Sequence, residues 1–290
     1  MPVYRARDSP LHAARAGATT ALCAALAFTC AVYSHPLVLL TVILVVVGVG
    51  VAARVGAEMA RAARLSVPLA LLVTLINPLL YAEGNTLLVR GGSFLGRRFD
   101  ITLEALAAGA LAGLRVAGFM MVFGLFSACV DPDDLLRLFR RVSYRSALTA
   151  SLATRLVPVL ARDAMRMGDA ARCRPQPPGR LAVARATLSG ALERAVDVAA
   201  ALEVRGYSTA GRPLPARAPW SRHDLRVGVA AALVGAATLT GAVAGVGNVA
   251  EYPSFAVALG PAEVALAAAL LLGAGLPFAG RAARLGVAHA

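Results

Sequence analysis

The 290-residue chain contains no lysine, and all 29 of its basic residues are arginine. A Walker A loop needs a lysine to hold the β- and γ-phosphates of a nucleotide, and a Schiff base needs a primary amine on a side chain. The absence of lysine therefore excludes a Walker A nucleotide site and a Schiff base formed by a lysine side chain. In particular, the chain cannot itself be a P-loop ATPase.

Charge is also scarce. Charged residues make up 16% of the chain and hydrophobic residues 58%, and the mean hydropathy is +0.69. Soluble proteins carry about 25% charged residues, so the composition excludes a soluble globular protein. The net charge is +13, but aromatic residues are only 6% and long apolar runs separate the arginine clusters. This pattern indicates a lipid bilayer rather than a nucleic acid as the partner.

Cysteine is present at four positions only, Cys23, Cys30, Cys129 and Cys173. No two of them form a Cys-x-x-Cys pair or another recognisable spacing. We therefore expect no disulfide, no zinc site and no other metal or cofactor.

Six apolar runs approach the length of about 20 residues that a helix needs to cross a bilayer. The sequence therefore predicts an all-α integral membrane protein with about six transmembrane helices. The runs cover residues 17–34, 36–53, 65–82, 103–129, 227–248 and 256–279.

Arginine is distributed unevenly among the connections. Seventeen arginines fall between residues 131 and 226, and the N-terminus, the second connection and the C-terminal tail carry further ones. The opposite side has only Arg90, Arg97 and Arg98. Because basic residues mark the cytoplasmic side, both termini and the middle region are expected in the cytoplasm of a cell-membrane protein. This gives a membrane part (1–130), a cytoplasmic region (131–223) and a second membrane part (224–290).

Several residues within the predicted spans indicate how the helices pack and where a charge is buried. Gly109, Gly113 and Gly241 have the small side chains that allow close helix packing. We expect Asn77–Pro78 to break the third span. Arg115 lies about a dozen residues into the fourth span, where a charge costs at least ~2.5 kcal/mol, so it must have partners. Helix-end carbonyls are candidates, whereas Glu104 lies about three turns away, too far for easy pairing. Arg115 is either a structural anchor or a functional residue. Acidic residues are too few there for an ion relay.

The region after residue 130 reads as three helices. Asp131-Pro132-Asp133-Asp134 has the form of an N-cap followed by a first turn. A second helix is predicted over 146–171 with a kink at Pro158. A third begins near Arg180 and ends at Gly206, with an apolar stripe that includes Leu181, Leu188, Ala191, Val198 and Leu202. Both long helices end in an arginine, Arg172 and Arg205, which the helix dipole alone would favour.

The stretch Ala200-Ala201-Leu202-Glu203-Val204-Arg205-Gly206-Tyr207 resembles the A-x-E-x-R-G-Y signature of the T component of energy-coupling factor transporters, the EcfT/CbiQ family. Other blocks resemble that family in the same order: Ile76-Asn77-Pro78-Leu79, Thr102–Leu106, Leu114-Arg115-Val116, Asp131–Leu136 and Leu152–Pro158. The resemblance covers about residues 35–210. One departure is that Ala171-Arg172-Cys173 stands where the family has Ala-Arg-Gly.

The resemblance implies a non-catalytic scaffold in an ATP-driven importer. Two cytoplasmic helices would place their arginine ends, Ala171-Arg172-Cys173 and Val204-Arg205-Gly206, on two ABC ATPase subunits. A separate membrane subunit, the S component, would bind the substrate, which is a vitamin or a cobalt or nickel ion in this family. The alternatives are a stand-alone permease and an integral-membrane enzyme that uses Asp131, Asp133 and Asp134 near Arg155 and Arg172.

Overall fold

The structure is a computed structural model that describes residues 4, 7–80, 87–94, 97–139, 144–176, 178–206, 219–247 and 260–278. These residues form two compact units, the first from residues 1–135 and 220–290 and the second from residues 136–219. The helices within the described ranges are α1 (Pro10–Ala13), α2 (Ala16–Val32), α3 (Pro36–Ala52), α4 (Gly56–Leu80), α5 (Leu103–Cys129), α6 (Pro132–Phe139), α7 (Tyr144–Arg172), α8 (Arg180–Val204), α9 (Arg222–Val243) and α10 (Pro261–Gly275), which continues into a 3₁₀ turn (Leu276–Phe278).

Each of the six predicted spans corresponds to an apolar helix. By length and composition, four helices are able to cross a bilayer: Gly56–Pro78, Leu103–Cys129, Arg222–Val243 and Pro261–Phe278. The helices α2 and α3 are apolar and have 17 residues each, at the lower end of the length that a span needs. The prediction of an all-α membrane protein is confirmed.

A small β-hairpin between α4 and α5 is an addition that the sequence does not predict. Strands β1 (Leu87–Phe94) and β2 (Arg97–Thr102) pair antiparallel, with Leu87 opposite Thr102 and Phe94 opposite Arg97. Polar and apolar residues do not alternate regularly along β1, so it lacks the usual strand signal. The register also shifts between Arg90 and Ser93, at the position of Gly91 and Gly92.

The expected break at Asn77–Pro78 is wrong, because α4 continues through Pro78 to Leu80. Proline at position 78 removes the N–H that would bond to the carbonyl of Thr74. That carbonyl lies against Gly109 of α5, so close that a Cβ at Gly109 would stand 2.7 Å from it. The Thr74 hydroxyl also donates to the Gly109 carbonyl at 3.3 Å. Close packing against the small residues of α5 therefore holds α4 in helical form past the proline.

The core of the first unit joins α2 to α9. The hydroxyls of Thr29 and Thr238 lie 2.8 Å apart, and the Tyr33 hydroxyl donates to the Thr238 carbonyl at 2.8 Å. Tyr33 is fully buried, and its hydroxyl end lies against Gly241, where a larger residue would collide with the ring. Polar contacts between apolar helices thus fix the register of these two helices.

The N-terminal segment is tied to the connection between α3 and α4. The Arg7 guanidinium donates to the Arg54 carbonyl and to Glu58 Oε1, the latter at 2.6 Å. Arg54 has φ of +61°, and it is the one non-glycine residue in the described ranges with a positive φ. Arg7 therefore stabilises a backbone conformation that costs an arginine about 1–2 kcal/mol.

Candidate functional site

Two long helices make up most of the second unit. α7 has 29 residues and α8 has 25, which correspond to lengths of about 43 and 37 Å at 1.5 Å per residue. An ion pair joins them, with Arg194 Nη1 at 2.8 Å from Asp163 Oδ2. The C-terminal ends of α7 and α8 carry the arginines that the sequence singles out. We call Ala171–Cys173 the first arginine tip and Val204–Gly206 the second.

The first arginine tip places its charge in solvent. The Arg172 side chain is 83% exposed, and among the described residues its one ion-pair partner is Asp169, one turn earlier on the same helix, at 3.4 Å. Ala171 is buried, whereas Cys173 is exposed with a free thiol. An exposed pair at this spacing contributes about 0.3–0.5 kcal/mol, so Arg172 is readily available to another binding group.

The second arginine tip is more exposed still. Val204 is 90% exposed, and the guanidinium of Arg205 has neither an ion pair nor a hydrogen bond among the residues that the structure describes. The backbone N–H of Arg205 donates to the Ala201 carbonyl at 3.2 Å, which places the residue at the last turn of α8. An apolar residue and a cation without a partner thus project together from the end of the helix.

The two tips end differently. Gly206 has φ of +68° and donates to the Glu203 carbonyl at 2.8 Å, which confirms the predicted glycine stop. Cys173 does not take a positive φ, and the turn there is closed by Arg174, whose N–H donates to the Ala171 carbonyl at 3.3 Å. Replacing the family's glycine with cysteine therefore goes together with a different exit from the helix. Tyr207 lies outside the described residues.

The apolar stripe predicted along α8 is only partly right. Ala191, Val198 and Leu202 are half-buried, but Leu181 and Leu188 are not. The exposed side of α8 carries large apolar residues whose exposed fractions are between 62% and 69%: Leu181, Leu188, Leu192 and Val196. We call these four residues the α8 apolar face. A water-exposed face of this kind marks an interaction surface.

The acidic residues after α5 serve a structural purpose. Asp131 Oδ1 accepts a hydrogen bond from the N–H of Asp133 at 2.9 Å, so Asp131 is the N-cap of α6 as predicted. Asp133 and Asp134 lie in the first turn, where carboxylates complement the helix dipole. Within the described ranges, no three His, Cys, Asp or Glu side chains are grouped as metal ligands.

Arg115 of α5 reaches the end of α2. Its Nη2 atom donates to Ser34 Oγ at 2.7 Å and to the Tyr33 carbonyl at 3.3 Å. Tyr33 is the C-cap of α2, so the guanidinium occupies the negative end of that helix's dipole. The sequence suggested helix-end carbonyls as partners but did not identify Ser34, although this polar residue between two apolar runs was a signal.

A comparison with protein families gives a match over most of the chain. The family model described as CbiQ, cobalt transport protein, matches residues 7–215, well over half of the chain. The matched range includes both arginine tips and Arg115, and it ends before α9. A search of curated proteins finds no match.

Proposed function

The chain belongs to the CbiQ family of cobalt transport proteins and is a multi-pass membrane component of a transport system, and we propose that it is the transmembrane scaffold of an energy-coupling factor importer. In this proposal, two partner ATPases of the ABC type dock on the arginine tips. A separate membrane subunit binds the substrate and changes orientation as ATP is hydrolysed. The chain itself carries out no reaction.

The observation that carries the proposal is the state of the two arginine tips. Each is the C-terminal end of a long helix, and each presents a guanidinium that the chain itself holds weakly or not at all. A guanidinium is planar and has five N–H donors, which suits binding to carboxylates and carbonyls in a groove of another protein. Such charge-assisted hydrogen bonds are about twice as strong as neutral ones.

The geometry of α7 and α8 also supports two docking points. Measured along the helices from the Asp163–Arg194 ion pair, the first tip lies about 14 Å away on α7 and the second about 17 Å away on α8. The tips therefore belong to two different helices, which the Asp163–Arg194 ion pair joins. A force on either tip would be transmitted through a stiff helix to that contact.

The α8 apolar face gives the proposal a place for a further partner. Four large apolar side chains exposed on one helix are costly in water, and burial against another subunit would recover about 25 cal/mol for each Å² covered. We assign this face to subunit contacts within the assembled transporter.

The substrate is a transition-metal ion, for which the family name favours cobalt, or a vitamin. Both termini and the second unit lie on the cytoplasmic side of the cell membrane. The distribution of arginine along the chain supports this orientation.

Co-purification tests this proposal. The chain is expressed with tagged ATPases as wild type and with Arg172→Ala or Arg205→Ala. Removing a buried charge at an interface costs about 2–5 kcal/mol, so each variant should bind the ATPases at least tenfold more weakly. ATP-dependent uptake of labelled cobalt or vitamin should fall in parallel.

Two control variants match the test variants in chemistry. Arg166→Ala on α7 and Arg185→Ala on α8 remove exposed arginines that have no partner within the described residues, and neither lies at a tip. Both controls should retain the ATPases. If the double variant at Arg172 and Arg205 kept the full complex and full uptake, the proposal would be wrong.

A further inference from the structure

The start of α9 carries two exposed arginines. Arg222 and Arg226 lie one turn apart on the same face and are exposed, and neither makes an ion pair or hydrogen bond with any residue in the described ranges. The acid between them, Asp224, is 2% exposed and is already engaged. It accepts from the N–H of Arg15 at 2.6 Å and from the N–H of Ser221 at 2.9 Å. The charge of the two arginines is therefore available to a ligand.

Trp220 precedes Arg222 by two residues at the start of α9. It is 66% exposed, yet its ring packs on α9, 3.9 Å from the position that a Cβ would take at Gly228. The Arg15 guanidinium stands 5.9 Å from the centre of the ring. An exposed indole held beside basic residues at the end of an apolar helix is the arrangement found at the headgroup level of a bilayer.

The same face of α9 continues as an apolar groove. Val229, Leu233, Ala236 and Thr240 follow Arg226 at steps of three or four residues, and all four are exposed. Together with α10, the part from Leu233 to Thr240 lines a cavity of about 710 Å³, a volume typical of a small-molecule site. The Thr240 hydroxyl donates to the Ala236 carbonyl at 2.8 Å, so it requires no polar partner from a ligand.

The floor of the groove is formed where Gly273 of α10 packs against Val234 of α9. A Cβ at Gly273 of α10 would stand 3.3 Å from the Val234 side chain, so a larger residue would push the helices apart. Leu272 of α10 and Leu276 of the following 3₁₀ turn form the opposite wall. Along α9, the distance from Arg226 to Leu233 is about 10 Å. A ligand must therefore place an anionic group and an apolar chain about that far apart.

We propose that this face of α9 binds one anionic phospholipid, with its phosphate on Arg222 and Arg226 and an acyl chain in the groove between α9 and α10. Charge complementarity selects this occupant, since a zwitterionic lipid would bring its own ammonium group next to the arginines. A free phosphate ion would leave the groove unfilled. The site lies beyond residue 215, outside the range that matches the family. The bound lipid would hold α9 and α10 in a fixed position where the chain re-enters the membrane after the second unit.

Trp220 is the only tryptophan of the chain and packs on the same end of α9 as Arg222, so its fluorescence can report on a lipid bound there. The full-length protein in detergent is titrated with phosphatidylglycerol or phosphatidylcholine that carries brominated acyl chains, which quench tryptophan fluorescence on contact. We expect wild type to bind the anionic lipid more tightly. Replacing Arg222 and Arg226 with glutamine should reduce this preference about fivefold for each arginine. Inorganic phosphate should not compete with the lipid.

Matched variants distinguish a site from general surface charge. Arg61→Gln with Arg64→Gln removes the same charge from α4 and should leave the preference unchanged. Ala236→Phe fills the groove and should reduce quenching by the brominated anionic lipid. Equal affinity of wild type for the two lipids, or an equal loss in the α4 control, would overturn the proposal. So would an Ala236→Phe variant that keeps its lipid but loses a co-purifying membrane subunit, since the groove would then hold protein.

Discussion

Arg194 Nη1 lies 2.8 Å from Asp163 Oδ2, and this ion pair connects the two helices that end in the arginine tips. The two side chains are 41% and 27% exposed, so the pair is partly screened by water. Its importance lies in geometry, because it joins α7 and α8 at a point between their tips. If the tips receive force from partner ATPases, this contact transmits it from one helix to the other.

The first prediction concerns this pair. Asp163→Asn or Arg194→Gln should each lower the stability of the second unit by at most about 1 kcal/mol, as is usual for a half-exposed pair. Transport should fall by more than this loss explains, because the helices would no longer move together. A double-mutant cycle on thermal stability and on uptake checks both effects. Uptake that follows stability alone in all three variants would contradict the transmission role.

The second prediction concerns Arg115. Arg115→Ala removes the bonds to Ser34 Oγ and the Tyr33 carbonyl, and interhelical bonds in membranes are worth about 0.6–1.7 kcal/mol each. We expect a loss of about 1–2 kcal/mol in thermal or denaturant unfolding in detergent. Ser34→Ala should cost less, since the carbonyl bond remains. If Arg115→Ala abolished uptake without any loss of stability, Arg115 would have a direct part in transport.

The third prediction contrasts the two helix ends. Gly206→Ala places a side chain at φ of +68°, which costs about 1–2 kcal/mol, so the last turn of α8 should fray and ATPase binding should weaken. Cys173→Gly should be tolerated, because glycine accepts any backbone angle. Co-purification of the ATPases with each variant checks this. Loss of binding in Cys173→Gly would show that the thiol itself is needed.

The fourth prediction concerns pH. Burial lowers the pKa of His12, and Arg7 lowers it further, while the Ala128 carbonyl and Glu58 oppose the shift. The Ser9 hydroxyl lies 2.7 Å from His12 Nδ1, and the Tyr4 ring packs on the imidazole at 5.8 Å between ring centres. As the pH falls, His12 is therefore protonated at a higher pH in the unfolded state than in the folded state. The contribution of His12 to stability is fully present above the ordinary pKa of about 6.5 and is lost as pH falls through the lowered value.

Thermal unfolding of the detergent-solubilised protein between about pH 7.5 and pH 5 measures this effect. His12→Gln should remove the part of the acid destabilisation that arises in this window, since glutamine does not titrate. An identical pH profile for wild type and His12→Gln would contradict the assignment.

Elements of the fold that depend on one local signal were predicted well from the sequence. Elements that depend on packing against distant parts of the chain were predicted poorly. Apolar length located six apolar helices, of which four are long enough to cross a bilayer. The cap at Asp131 and the stop at Gly206 followed from local chemistry that depends on few neighbours. Pro78 misled because α5 stabilises α4 from outside the segment. The β-hairpin was missed because Gly91 and Gly92 obscure the strand pattern. Ser34 and Asp163 gain their partners from residues far along the chain. The position of Ser34 between two apolar runs was a signal that it matters, but no local spacing identifies Arg115 or Arg194 as the partners.

The chain carries its own probe for the central claim, because Cys173 is exposed and lies directly after Arg172, while Cys23, Cys30 and Cys129 are buried. A thiol-reactive crosslinker applied to membranes that contain the chain and its tagged ATPases should join Cys173 to an ATPase. The product should be absent in Cys173→Ser and should decrease strongly in Arg172→Ala. If Cys173 formed no such product while a cysteine introduced at Leu192, on the α8 apolar face, crosslinked efficiently to the same ATPase, the arginine tips would not be the docking points.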